Sequence, residues 1–318
     1  MGLLGCGPAA ERSYVPAIAR LTNARLTAAY DEAADRSRRL ARSAPGCRAF
    51  DSAEALLNAR VVDAVLIASP LESRASLAVK ALGAGLPVLI EPPLAASLEE
   101  AEWIRDAERA VRLPVMLGFN RRWWGPIERL RRVLAGGQEG EVAVDGAIVT
   151  DLRDADSFVA LAAHLDLVRH LVDREVATIS GRRDVPEEIQ AQVRFHGGGA
   201  ALCGARPGHR PEERITIRSG LRTYEIRSGS ERFWPATGAG RRALDLVDCA
   251  SRRVVGSRDS FERSVEAQLA AFVETVQSRA GRSPGTTDGT ASLLIIDALR
   301  HSLEAGGIEI AVPATPSR

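Results

Sequence analysis

Lysine is almost missing from this 318-residue chain: Lys80 is the only one. That scarcity removes nearly every candidate for a lysine that moves a proton or forms an imine. Lys80 itself falls inside a predicted helix over 74–84, away from any strand exit, and reads as a solvated surface residue. Charge of one sign is also missing, since 42 basic against 41 acidic residues leave a net charge of +1. Such a balance excludes the basic footprint of a nucleic-acid protein. The four cysteines, Cys6, Cys47, Cys203 and Cys249, lie far apart in sequence with no Cys-x-x-Cys pair. Neither a disulfide framework nor a metal site is expected, and reduced thiols in a cytoplasmic protein are. No apolar run reaches the roughly 18 residues that a membrane span needs.

What the chain does contain is ordinary globular material, 45% hydrophobic and 26% charged. Its length fits about two domains. The first 120 residues alternate strand and helix. Gly2-Leu3-Leu4 predicts a strand, and Gly5-Cys6-Gly7-Pro8-Ala9-Ala10 predicts a glycine turn opening a helix. In that pattern Gly5 permits the tight turn, Gly7 lets the backbone approach a pyrophosphate, and Ala10 lets helix and strand pack closely. Pro8 suits a first helical position, although its missing N–H removes one donor from the phosphates. A second strand, Leu26 to Tyr30, ends at Asp31. An acid about 20 residues past the glycines is placed to accept from the adenosine ribose, which favours NAD over NADP. Asp31 also reads as an N-cap for a helix over 32–42. Arg36, Arg38 and Arg39 follow, so a 2′-phosphate is not excluded.

Two more buried strands follow. One exits through Ala68-Ser69-Pro70, and the other, Val88-Leu89-Ile90, stops at Glu91-Pro92-Pro93-Leu94. A helix over 98–111 and a strand over Val115-Met116-Leu117 complete a doubly wound parallel sheet, whose ligands bind outside the carboxyl ends of the strands. Gly118 to Trp124 then reads as a polar crossing. There Asn120, Arg121 and Trp123 are candidate substrate contacts, or else part of a hinge pinned by arginine–carboxylate pairs.

From Glu141 onward the pattern has period two. Ile189 to His196 alternates without a fault, 215–217 and 221–226 flank a turn, and 244–247 and 254–255 add strand. A mostly antiparallel sheet with one covered face and one open face is expected. Among its strands a helix over 157–171 carries His164 on the flank of its apolar stripe, with Asp166 and Arg169 reading as a surface ion pair. Helices over 261–279 and from Asp288 to about Leu303 close the chain.

Together the dinucleotide start, Ala68-Ser69-Pro70, Glu91-Pro92-Pro93-Leu94, Gly118-Phe119-Asn120-Arg121-Arg122 and the closing helices resemble the Gfo/Idh/MocA family of oxidoreductases. The resemblance covers nearly the whole chain. It implies a Rossmann domain (1–120) and an α+β substrate and oligomerisation domain (121–318). It also implies a homodimer or homotetramer through the open sheet, and hydride transfer between NAD or NADP and a sugar-like, cyclitol or biosynthetic small molecule. Gly5, Gly7, Pro8, Ala9, Ala10, Asp31, Ser69, Pro70, Glu91 and Pro92 would line the cofactor.

The chain departs from the family where the chemistry sits. Pro92 stands where the family has a lysine, Val159 and Ala163 fall where it has Asp-x-x-x-His, and Arg74 replaces a frequent histidine. Proline can neither accept nor donate a proton, yet alcohol oxidation needs a base and carbonyl reduction an acid. A non-standard relay is therefore expected, with His164 first, then Tyr14 or Asp166, or the substrate itself through water, and Glu91 positioning or polarising. The rival expectation is a cofactor-retaining protein without dehydrogenase activity, either a regulatory or structural partner or a non-redox enzyme reusing the pocket.

Overall fold

The computed structural model of the chain describes residues 1–135, 142–151, 157–185, 188–208, 212–219, 222–227, 260–278 and 284–315. The strands expected over 244–247 and 254–255 lie outside the described residues. The chain forms two compact units, one built from Met1–Asn120 and Glu262–Leu293, the other from Arg121–Phe261 and Leu294–Thr315.

The first unit is a parallel sheet of six short strands: β1 (Gly2–Leu4), β2 (Ala28–Tyr30), β3 (Arg48–Ala49), β4 (Val65–Ile67), β5 (Val88–Ile90) and β6 (Val115–Leu117), in the order β3-β2-β1-β4-β5-β6. Every pairing is parallel. Strands buried on both faces must be apolar throughout; Leu3, Leu4, Val65, Ile67, Val88, Leu89 and Ile90 are sealed from solvent. The strand order reverses between β1 and β4, so the crevice outside their carboxyl ends is where a doubly wound sheet binds its ligand. A π-helical turn over Ala10–Tyr14 runs into α1 (Val15–Arg20), followed by α2 (Ala34–Ser43), α3 (Ala53–Asn58), α4 (Leu71–Gly83) and α5 (Leu98–Val111). The start of α5 is set by Ser97, whose hydroxyl accepts from the Glu100 N–H, while the Glu100 carboxylate accepts from the Ala96 N–H. That reciprocal pattern satisfies two donors at the helix start, close to a capping box.

The described residues of Glu262–Leu293 belong to this unit. Gln268 Nε2 donates to the Leu117 carbonyl at 2.7 Å, and Leu117 N donates to the Pro284 carbonyl. A Cβ on Gly289 would lie 2.8 Å from Leu94 Cβ, so only glycine lets that segment approach so closely. The apolar stripe of residues 265–276 predicts burial, but a stripe does not say which sheet it covers.

In the second unit, after a 3-10 turn over Asn120–Trp123, come α6 (Gly125–Ala135), β7 (Val142–Asp151), α7 (Ser157–Val172), β8 (Val176–Val185), β9 (Glu188–Phe195), β10 (Ala200–Gly208), β11 (Glu212–Ser219) and β12 (Arg222–Arg227). The closing helices α8 (Ser260–Ser278) and α9 (Thr286–Glu304) precede β13 (Ile310–Ala311). The sheet order is β12-β11-β7-β10-β9-β8-β13, antiparallel except for the parallel β7–β10 pair. The period-two reading holds residue by residue: Ile189, Ala191, Val193 and Phe195 are buried, and Gln192 and Arg194 are exposed. Leu202, 49% exposed, marks the open face. α9 begins at Thr286, two residues before the expected Asp288. Asp288 lies in the first turn, where its carboxylate accepts the Gly285 N–H.

Candidate active site

The glycine turn is held by backbone contacts on both sides. Gly5 N donates to the Tyr30 carbonyl at 2.8 Å, and Ala68 N donates to the Leu4 carbonyl at 2.8 Å. Gly5 has φ +97°, and a Cβ there would sit 2.5 Å from Ala68 C and O and from Ser69 N. Gly7 is the opposite case: nothing lies within 4 Å of the Cβ it lacks, so the space in front of it is open. The helix that follows has its first α-type bond from Glu11 N to the Gly7 carbonyl. The N–H groups of Gly7, Ala9 and Ala10 therefore have no acceptor within the helix, and Pro8 offers none. Open space in front of orphan N–H groups suits a pyrophosphate.

Asp31 does more than the sequence suggests. Its Oδ2 accepts from Cys6 N at 2.7 Å and its Oδ1 from Ala33 N at 2.9 Å, so it ties the exit of β2 to the glycine turn. The second contact is a local loop bond before α2, whose N-cap is Ala33 with no side-chain cap, and Asp31 is therefore not the N-cap. A carboxylate has about four acceptor sites, so capacity for a ribose hydroxyl remains. Asp31 lines a cavity of about 320 Å³ with Gly5, Arg36, Ser69 and Pro70. Arg36 Nη1 stands 3.9 Å from Asp31 Oδ1. These residues fit a dinucleotide. The Cys6 thiol, pushed up to about 12 by burial first and by the Asp31 charge second, is not a nucleophile at neutral pH.

The exits of β4 and β5 are joined by a residue whose role sequence reasoning missed. Arg74, in the first turn of α4 and buried, donates from Nε to the Ser69 carbonyl at 3.0 Å. Its Nη1 donates to the carbonyls of Glu91 at 3.0 Å and Pro93 at 3.1 Å, and Nη2 stands 3.5 Å from Glu91 Oε2. On the other side, a Cβ on Gly118 would meet Pro92 Cδ at 3.0 Å and Glu91 Cα at 3.2 Å. The Glu91-Pro92-Pro93 loop is thus clamped between Arg74 and Gly118, and its Pro92–Pro93 bond is cis. Burial pushes the Glu91 carboxyl above the usual carboxylate range, against the pull of the Arg74 charge. Tyr14, buried in the π-helical turn, is raised by burial first and by Glu91 next, so its hydroxyl stays protonated.

The remaining expected site residues are placed differently. His164 is 0% exposed. Its Nδ1 donates to Glu213 Oε1 at 2.7 Å, and its Nε2 has no partner. The ring occupies the space that a side chain on Gly146 would fill, with Nε2 2.1 Å from that Cβ position. Arg121 pairs with the same Glu213 at 3.2 Å. Burial disfavours the Glu213 anion, but the Arg121 charge and the His164 hydrogen bond outweigh it and hold its carboxyl low.

Asp166, 1% exposed, accepts from Arg122 Nε at 2.9 Å and Nη2 at 2.5 Å, and from Arg169 at 3.3 Å. The surface ion pair expected there is a buried one, because the flank of α7 that carries Asp166 is covered by Arg122 rather than by water. Asn120 Nδ2 donates to Ser264 Oγ at 2.9 Å, and Trp123 is half-buried. Neither His164 nor Asp166 has an exposed edge to offer a substrate; both hold α7 in its own unit. Gly146→Ala should therefore cost about 1–3 kcal/mol by overpacking, read from a urea midpoint. An unchanged midpoint would mean that His164 is free to move aside.

The chain also has recognisable relatives. Residues 1–119 match the model of the Gfo/Idh/MocA group, described as an oxidoreductase family with an NAD-binding Rossmann fold. An inositol 2-dehydrogenase of Corynebacterium glutamicum is 30% identical over 191 residues, which are 60% of this chain and only 56% of that relative. Inositol 2-dehydrogenase 2 of Saccharopolyspora erythraea is 26% identical over 98% of this chain and 96% of its own. Among solved structures, myo-inositol dehydrogenase from Lactobacillus casei, in complex with NAD(H) and myo-inositol, superposes with a TM-score of 0.81 at 18% identity. That likeness covers 100% of this chain and 97% of the other and concerns the fold.

Proposed function

We propose, from the match of residues 1–119 to the Gfo/Idh/MocA oxidoreductase family and the likeness to inositol 2-dehydrogenases, that the chain transfers a hydride between NAD and a small polyhydroxylated substrate of the sugar or cyclitol class. The observation that carries the reading is the glycine turn, with open space at Gly7 in front of the helix-start N–H groups and a cavity lined by Gly5 and Asp31. The dinucleotide supplies the two-electron chemistry when bound. Gly7, Ala9 and Ala10 would hold its phosphates, and Asp31 its adenosine ribose, with NAD preferred over NADP because a carboxylate repels a 2′-phosphate. Pro92 cannot move the proton, so on this reading it passes through another group of the chain or through water.

A spectrophotometric screen tests the reading: NAD⁺ and NADP⁺ offered with inositols, aldoses and sugar acids, following nicotinamide absorbance. Turnover with at least one polyol, faster with NAD⁺, is the expected result. Tight cofactor binding with no turnover on any of them would favour a cofactor-retaining protein without dehydrogenase activity, the reading that Pro92 in place of lysine favours.

A further inference from the structure

We propose that the Glu91 carboxylate is the group that accepts and returns the substrate proton, and that Arg74 is the positioning residue that holds it, an inference that rests on the oxidoreductase reading above. Glu91 leaves β5 with its N–H donating to the Ile67 carbonyl at 2.9 Å, so its Cα is fixed to the sheet at the strand exit. Arg74 is fixed by the carbonyls of Ser69, Glu91 and Pro93, contacts that use Nε and Nη1. Only Nη2 faces the Glu91 carboxylate, at 3.5 Å, longer than a good hydrogen bond. A guanidinium so restrained acts as a stationary positive charge beside the carboxylate. It does not saturate the carboxylate as a bidentate pair would, as the Arg122–Asp166 pair does. The Glu91 side chain keeps 23% of its surface exposed, unlike His164 and Asp166, so a hydroxyl can reach it.

The charged and titratable groups facing Glu91 are Arg74 from α4 and Tyr14 from the first helix. Tyr14 stays a neutral hydroxyl and Arg74 a cation, which leaves Glu91 as the group that changes protonation state. Its carboxyl, raised by burial and restrained by Arg74, is displaced toward working pH, as a general base requires. During oxidation the substrate O–H bond breaks and its proton passes to the Glu91 carboxylate. The carbinol C–H bond breaks with its electron pair going to the oxidised nicotinamide dinucleotide as C=O forms. The resulting carboxylic acid then releases its proton to water, and reduction runs the same steps backward.

The test combines ¹³C NMR of the protein labelled at glutamate carboxyls, free of cofactor, with steady-state kinetics. The Glu91 resonance, assigned by its loss in Glu91→Gln, should titrate above the other glutamates. In Arg74→Gln, which removes the charge that lowers it, the titration should move further up, and in Arg74→Lys it should return toward wild type. Oxidation needs the carboxylate, so kcat should fall as pH drops through this pKa, and that fall should move to higher pH in Arg74→Gln. Glu91→Gln should lower kcat by about 10²–10⁴, with Glu91→Asp in between. An active wild type whose Glu91→Gln variant keeps kcat within about threefold, far short of a lost acid–base group, overturns the inference and leaves the oxidoreductase reading standing. A Glu91 titration that does not move in Arg74→Gln overturns the role of Arg74, whatever the activity. A wild type that binds no NADH and turns over no substrate overturns the reading itself.

Discussion

Gly5→Ala is expected to lose about 2–5 kcal/mol of stability, the sum of a left-handed backbone penalty of roughly 1–2 kcal/mol and an overpacking cost of roughly 1–3 kcal/mol. The two costs act together because φ is +97° and the new Cβ would lie 2.5 Å from three backbone atoms of Ala68 and Ser69. Backbone atoms cannot rotate out of the way. Relief would require β1 and β4 to separate, although Ala68 N donates to the Leu4 carbonyl and Gly2 to Leu4 pair in register with Val65 to Ile67. The measurement is the urea midpoint at unchanged slope. A loss below about 0.5 kcal/mol, the scale of an ordinary surface substitution, would mean that the turn is not built as described.

Asp166→Ala should cost about 3–5 kcal/mol, because it removes a buried carboxylate that two buried guanidinium groups share rather than a solvated partner. Arg122 and Arg169 are both buried and both donate to this one carboxylate. Arg169 keeps Glu175 at 2.6 Å, so the loss falls mainly on the bidentate Arg122 side of the network. An exposed pair supplies the control. Arg182 and Asp184 stand 2.7 Å apart but are 71% and 49% exposed, and Arg182→Ala should change stability by no more than about 1 kcal/mol. If the two variants lost equal stability, the Asp166 network would be no more consequential than a surface contact.

Local chemistry made much of the first unit legible. Gly5 and Asp31 announce themselves because a tight left-handed turn, and a carboxylate that ties a strand exit to it, each demand a particular residue type at a particular spacing. Leu98–Val111 is readable to the residue, since Ser97 and Glu100 mark its start. Less legible were β3, two residues long, and the one-and-a-half-turn α3, because neither carries enough periodicity to register. α6 is hidden too, since its Gly125-Pro126 opening resembles the end of the polar crossing more than the start of a helix.

Long-range partners were the hardest to see. A helical wheel puts Asp166 away from the apolar stripe of α7, but it cannot show that Arg122, 44 residues earlier, comes to meet it. Arg74 bonds carbonyls 5, 17 and 19 residues away, and nothing in its neighbours reveals that. The available signal was its position: an arginine in the first turn of a helix that leaves a buried strand, four residues after Pro70. His164 is the opposite case. A histidine beside an apolar face draws attention, and here Gly146 makes room for it inside the packing of helix on sheet.

The dinucleotide assignment underlies both the proposed activity and the role of Glu91, and one pair of titrations tests it directly. Gly7 has open space around the missing Cβ, so Gly7→Val should fold as well as wild type while blocking the approach of a pyrophosphate. NADH fluorescence is titrated with both proteins, and their melting temperatures are compared without cofactor. Saturable binding by wild type at one NADH per chain, none by Gly7→Val, and equal melting temperatures are expected. Equal NADH binding by the two proteins, or none by wild type, would contradict the dinucleotide assignment.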